Sequence, residues 1–329
     1  MRVVCLAGGV GGAKLAHGLQ AVLAPGELTV IVNTGDDLER HSLEISPDLD
    51  TVLYTIAGVA DPAQGWGIAG ETWQVMDQLA RLGDETWFRL GDRDLATHLF
   101  RTERLRAGAR LTDVELALAG SLGVPSRILP MTDRRVRTRV RTASGWLDFQ
   151  DYFVRLRQEP EVLEIDFDGA TAAVVTPEVR DAIRSADAIV VAPSNPVVSI
   201  GPILAVPGML AEILDARRRG TRSVAVSGIV GGKALRGPAD RMMASLGEES
   251  SALGVARRYV AAGLIDVFVM DRRDEALTGG VAALGVQVVV TDTVMTDAAS
   301  RAELAREMLA SASPGGRAGH PSPAESSAE

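Results

Sequence analysis

Runs of β-branched and other apolar residues recur along the chain, each followed by small or glycine-rich residues and then by apolar positions at helical spacing. The first run, 2–6, ends at Gly8-Gly9 and gives way to a helical pattern over 12–22 and a second run over 28–32. The alternation returns with a helix near 177–185 before the run 188–191, and a helix near 208–219 before 223–226. A further helix precedes 266–269, and one starting at Glu275 precedes 286–290. Runs without a polar face, separated by helices, suit strands buried on both sides of a parallel sheet. The pattern predicts an α/β fold: a doubly wound, mostly parallel, Rossmann-like sheet.

Between the two halves the text turns helical, with helix-spaced apolar residues over 50–56, 71–82, 94–105 and 111–122. This predicts a helical insertion, or cap, at about 51–122. Arg135, Arg137, Arg139 and Arg141 then alternate with Val136, Thr138 and Val140 before Ala143-Ser144-Gly145, which reads as a β-hairpin at about 134–149. Its arginine face suits a solvated edge strand whose charges prevent aggregation, with phosphate binding as the alternative. The organisation is one α/β domain over 1–310 followed by a Ser-, Pro- and Gly-rich tail over 311–329, whose composition predicts disorder.

Composition narrows the function. With 46% hydrophobic residues in 329, the chain sustains a substantial core, and its net charge of −9 argues against nucleic acid as partner. The single cysteine, Cys5, lies in an apolar run and cannot form an internal disulfide, so the cytoplasm is the expected compartment. No uncharged apolar stretch is long enough to predict a signal peptide or a membrane span. Only two of the basic residues are lysines, and both Lys14 and Lys233 follow glycine pairs, which marks them as anion ligands.

Four turns at predicted strand ends carry the candidate chemistry. The first is Gly8-Gly9-Val10-Gly11-Gly12-Ala13-Lys14, where Gly9, Gly11 and Gly12 let the main chain approach a phosphate at a helix start. It lacks the Gly-Lys-Ser/Thr of a Walker loop and departs from Gly-x-Gly-x-x-Gly. The second is Asn33-Thr34-Gly35-Asp36-Asp37, with Asp48 and Asp50 shortly after and the pair Asp92 and Asp94 further on. Such carboxylates suit Mg²⁺, although Asp48 and Asp94 also read as helix caps. The third is Ser194-Asn195-Pro196 and the fourth is Ser227-Gly228 leading to Gly231-Gly232-Lys233, whose small polar groups suit a nucleotide. Open α/β sheets bind ligands at this rim. Trp66, Trp73 and Trp87 in the cap offer either core packing or stacking on a flat heterocycle.

His17, His41, His98 and His320 show no metal-binding spacing, and no Gly-x-Ser-x-Gly elbow occurs, which disfavours zinc and triad hydrolases. In combination, the motifs Gly-Gly-Val-Gly-Gly-Ala-Lys, Asn-Thr-Gly-Asp-Asp, Ser-Pro-Asp-Leu-Asp-Thr, Leu-Gly-Asp-Arg-Asp-Leu-Ala-Thr-His, Ala-Pro-Ser-Asn-Pro and Ser-Gly-Ile-Val-Gly-Gly-Lys resemble the 2-phospholactate (or phosphoenolpyruvate) transferase family of coenzyme F(420) biosynthesis. The resemblance runs in order from Met1 to about Leu309.

That resemblance implies a Mg²⁺-dependent, homodimeric transferase. It would join the hydroxyl of the deazaflavin Fo to the phosphoryl group of a guanosine diphospho-linked three-carbon acid and release GMP. It implies Asp50 and Arg89 as deazaflavin ligands, with Trp66 and Asp92 beside them. The first loop and Ser194-Asn195-Pro196 would take the nucleotide, joined by Lys14, Asn33, Ser227, Gly228 and Lys233. Asp36 and Asp50 would hold the metal, with Asp37 as a further ligand. Either Asp50 or Asp36 would orient the attacking hydroxyl or accept its proton. The identity of the three-carbon acid stays open. A nucleotide-sugar-binding regulator of a distantly similar gluconeogenesis-factor family is the alternative, and an NAD-type oxidoreductase using Asp36 for the ribose is a third reading.

Overall fold

The computed structural model describes residues 1–313. Seven parallel strands form the central sheet in the spatial order Gln287–Thr291, Val267–Asp271, Arg222–Val226, Ala188–Val191, Val3–Ala7, Leu28–Val32, Arg127–Pro130. The predicted doubly wound α/β class is what the protein adopts. Val3 stands in register with Leu28 on one side and Ala188 on the other. Strand order therefore reverses between Val3–Ala7 and Ala188–Val191, the crevice where such sheets bind ligands.

Successive strand residues point to opposite faces, and both faces are apolar because each is covered by helices. Val4, Leu6, Ile31 and Ile189 join one core cluster, while Val3, Cys5, Val30 and Val190 join the other. Burial of Cys5 pushes its thiol up to about 12. Helix Gly9–Val22 runs against helices Pro47–Ile56 and Ala298–Ala312. That last helix takes in residues 311 and 312, which composition assigned to the tail. The rest of the expected tail, from residue 314, lies outside the described residues.

The helical text between the second and third sheet strands forms helices Pro47–Ile56, Gln74–Arg81, Asp94–Arg106 and Leu111–Ser121. A small hairpin, Leu38–Arg40 with Leu43–Ile45, precedes them. The arginine-bearing strand Arg137–Thr142 pairs with Gly145–Asp148 as expected, but a third strand, Glu164–Asp168, pairs on its other side. It is thus a central strand and not an edge. Arg139 meets Asp148 at 3.2 Å and Arg141 meets Glu164 at 2.7 Å, so cross-strand acids neutralise two of its charges. Among the described residues no helix is long and apolar enough to cross a membrane.

Candidate active site

The two loops at the strand-order reversal are bonded to each other. Gly8 N–H donates to Ser194 Oγ at 3.0 Å, and that hydroxyl donates to the Gly8 carbonyl at 2.8 Å. A Cβ on Gly11 would stand 2.3 Å from the Pro193 carbonyl oxygen, and one on Gly12 would stand 2.6 Å from Ser194 Oγ. Only glycine permits this approach. The Ser227-Gly228 turn rests on the same Pro193 carbonyl. Three strand ends thereby form one rim.

A cavity of about 960 Å³ opens at this rim. Of the residues expected in the site, Gly9, Gly11, Lys14, Asp36, Asp50, Trp66, Arg89, Ser194, Asn195, Ser227 and Gly228 line it. Lys14 is half-buried and donates to the Met295 carbonyl at 2.9 Å. Burial, then the nearby Arg301 and Arg236, hold its ammonium below the usual lysine range.

The other expected residues lie elsewhere. Gly12 packs against Ser194 and Ala7, Pro196 is buried behind its turn, and Asn33 supports Asp48 from beneath. Asp37 accepts Ser46 Oγ at 2.9 Å and faces a smaller adjoining cavity. Asp92 accepts the Gln74 and Val75 N–H groups and so fixes the start of helix Gln74–Arg81. Lys233 has an 80% exposed side chain, 3.6 Å from Asp240, and does not reach the cavity.

Four carboxylates form the acidic wall: Asp36, Asp48, Asp50 and Asp94. Asp48 is not the helix cap it resembles in the sequence. Its oxygens accept from Gly9 N–H at 2.8 Å and Asn33 Nδ2 at 2.9 Å, tying helix Pro47–Ile56 to the glycine loop. Burial pushes its carboxyl up to about 6 against those hydrogen bonds. Asp36 is raised well above the carboxylate range by burial and by the charge of Asp48, and its Oδ1 has no hydrogen-bond partner among the described residues. An orphaned buried carboxylate oxygen beside a second acid suits a hard divalent cation.

Asp50 is held differently. Arg101, fully buried, donates to both of its oxygens and through Nε to Glu115 at 3.0 Å. Asp94 accepts the Tyr54 hydroxyl at 2.7 Å, with His98 Nε2 at 3.3 Å from the same oxygen. Burial opposes its ionisation, yet the neighbouring His98, the Tyr54 hydroxyl and the Arg101 charge outweigh that and keep its carboxyl low. Asp50, Asp94 and His98 offer ligand atoms within 4.8 Å of one another, but the Arg101 guanidinium already stands against two of the three.

Aromatic side chains also line the cavity: Trp66, Trp87, Phe88, Phe149 and Phe153. Arg89 stacks over Trp73 at 4.1 Å, and Trp73 meets Trp66 edge-on at 6.2 Å, so the tryptophans hold an arginine at the cavity as well as offering a flat surface. Sequence reading missed the segment 293–296, which lines the cavity after the edge strand Gln287–Thr291. Asp271 fixes it by accepting both the N–H and the hydroxyl of Thr293 at 3.0 Å.

A doubly wound sheet whose glycine loop, serine turn and carboxylates meet at the switch point defines a Rossmann-like α/β protein with a ligand-sized cleft at its strand ends. The chain belongs to the family described as 2-phospho-L-lactate transferase CofD, whose model matches residues 3–309. It is a transferase.

It is 45% identical over 314 residues to a phosphoenolpyruvate transferase of Streptomyces griseus, covering 94% of this chain and 98% of that one. A 2-phospho-L-lactate transferase of Methanosarcina mazei is 41% identical over 303 residues, covering 92% and 98%. A crystal structure of a UPF0052-family protein from Bacillus halodurans matches with TM-score 0.63 at 15% identity, covering 94% of this chain and 98% of that one, which establishes the shared fold.

Proposed function

We propose that this protein transfers a phosphoenolpyruvyl group from a guanosine diphospho-linked donor to the primary hydroxyl of the deazaflavin Fo, releasing GMP, in coenzyme F(420) biosynthesis. The observation that carries the reading is the meeting of the glycine loop, the serine turn and the acidic wall with an aromatic wall in one cavity. The Streptomyces relatives, named phosphoenolpyruvate transferases, support the choice of three-carbon acid.

In this reading the first turn of helix Gly9–Val22 receives the diphosphate. Asp48 takes the Gly9 N–H, leaving Val10 and Gly11 N–H groups and the helix dipole for an anion. Lys14 adds positive charge there, and Ser194 and Asn195 hold the nucleotide. The aromatic wall stacks the tricyclic ring of Fo, while Arg89 and Asp50 orient it. Holding hydroxyl and phosphorus in one geometry supplies much of the acceleration, because the protein is asked for little covalent chemistry.

The orphaned Asp36 oxygen beside Asp48 fits Mg²⁺, with Asp36 and Asp50 as its protein ligands. A bound Mg²⁺ would neutralise charge on the diphosphate and polarise the phosphoryl oxygens. The same reading takes the enzyme as a cytoplasmic homodimer, which sedimentation of the purified protein tests for the dimer.

Fluorescence titration with Fo tests the substrate assignment. Saturable binding that tightens when a guanosine donor analogue and Mg²⁺ are present supports it. No binding of Fo, with guanine nucleotides still bound, would favour the nucleotide-binding regulator.

A further inference from the structure

The four cavity carboxylates are not equivalent. Asp50 has both oxygens engaged by Arg101, and Asp48 has both engaged by Gly9 and Asn33. Asp36 has no fixed donor on Oδ1 and is the acid that suits a cation. Asp94 is anchored on one side only. Its Oδ1 accepts the Tyr54 hydroxyl at 2.7 Å, while Oδ2 accepts no hydrogen bond among the described residues and is not one of the sealed, unpartnered atoms of the cavity wall.

His98 packs beside that anchor. Arg101 Nη1 lies 3.3 Å from His98 Nδ1, and a guanidinium can only donate, so Nδ1 accepts and the ring proton resides on Nε2. Nε2 lies 3.3 Å from Asp94 Oδ1 but makes no hydrogen bond among the described residues. The side chain of Asp94 is therefore held by one donor, the Tyr54 hydroxyl, with His98 beside the same oxygen, and it lines the cavity. Asp50 and Asp94 offer oxygens within 4.8 Å of each other, and both residues line the cavity, so a hydroxyl held by one comes within reach of the other.

We infer that Asp94 is a further catalytic carboxylate, whose Oδ2 orients the acceptor hydroxyl and takes its proton. The inference rests on the transfer reaction proposed above. In the step, the hydroxyl oxygen forms a bond to the phosphorus that bears the three-carbon acid. The bond from that phosphorus to the bridging oxygen breaks, and its electron pair leaves on the GMP phosphate. The hydroxyl proton passes to Asp94 and then to water. Tyr54 and His98 are positioning residues.

The test uses full-length enzyme with Fo, Mg²⁺ and the guanosine donor. Asp94→Asn keeps the shape and the hydrogen bond but cannot take a proton, so kcat should fall at least about 100-fold. KM for Fo and Fo binding by fluorescence should stay within about 3-fold of wild type, because orientation by the amide survives. Asp94→Glu, which restores a displaced carboxylate, should recover at least about 10-fold over Asp94→Asn.

Turnover of Asp94→Asn within about 3-fold of wild type overturns the inference, as does a loss of Fo binding in step with kcat. Restoration of the variant by excess Mg²⁺ or Mn²⁺ also overturns it, since Asp94 would then be a metal ligand. If Asp94→Asn does not fold, Asp94→Glu decides: lowered kcat at unchanged KM supports the role, and wild-type kcat removes it. Absence of turnover by the wild type itself defeats the parent reaction and this step together, whereas wild-type turnover with an active Asp94→Asn defeats this step alone.

Discussion

The Arg101 guanidinium, without exposed surface, holds both carboxylate oxygens of Asp50 from a position 51 residues away in the chain. It also reaches Glu115, so one cation joins three helices of the cap and aims the carboxylate that faces the cavity. Two buried acids share that single charge. Arg101→Met leaves both uncompensated and should cost about 3–5 kcal/mol. Urea denaturation measures the loss, and a cost under about 1 kcal/mol would show that the clamp is dispensable.

The glycine loop and the serine turn are close enough that a single methyl separates them. Gly11→Ala places a Cβ 2.3 Å from a backbone oxygen that has no flexible side chain to swing away. It should destabilise by about 1–3 kcal/mol and weaken nucleotide binding measured by calorimetry. Gly120→Ala, in helix Leu111–Ser121 with open space around it, should instead be neutral or stabilise by up to about 1 kcal/mol. Equal behaviour of the two variants would contradict the close approach.

Asp48 links the cavity to pH. Burial raises its carboxyl to about 6, above the value of about 3.9 in an unfolded chain. Between about pH 4 and 6 the folded protein keeps this proton where the unfolded chain has lost it, so Asp48 subtracts stability as pH rises through that window. Asp48→Asn cannot ionise. Its stability relative to wild type should therefore improve from about pH 4 to pH 7 in metal-free buffer, and a flat or opposite trend would refute the raised carboxyl.

The two lysines should part company. Lys14 lines the cavity and Lys233 does not. Lys14→Met should raise KM for the guanosine donor at least about 10-fold, the loss expected for one charge-assisted contact to phosphate. Lys233→Met should stay within about 2-fold, as exposed ion pairs of this kind contribute little.

Most of the sheet was legible because strands buried on both faces must be apolar throughout, as at 28–32 and 188–191. Arg127–Pro130 escaped notice because it is a four-residue edge strand that begins with arginine and ends with proline. Glu164–Asp168 was hidden by three acids on its outer face. The hairpin Leu38–Arg40 with Leu43–Ile45 turns at His41-Ser42, both at positive φ, where the usual glycine signal is missing.

The glycine and serine turns were readable as ligand loops because they follow strands at the sheet rim. The division of labour among the acids was not. Whether Asp48 caps its own helix or Gly9, and whether Asp50 is paired, depends on residues brought together from 39 and 51 positions away. Local spacing carries no trace of such partners. Lys233 misled for the converse reason: a glycine pair precedes it, but its turn leaves the side chain in solvent.

The central claim is that these strand-end loops bring a guanosine-linked phosphoryl donor and Fo together in one cavity. Incubating the protein with Fo, Mg²⁺ and, in separate reactions, guanosine diphospho donors carrying phosphoenolpyruvate, phospholactate or phosphoglycerate, then weighing the products by mass spectrometry, tests it directly. The account predicts GMP together with Fo enlarged by the phosphoenolpyruvyl group, and loss of both products in a folded Asp50→Asn variant. Folded wild-type protein that yields neither GMP nor a phosphorylated Fo derivative from any of the donors would contradict it.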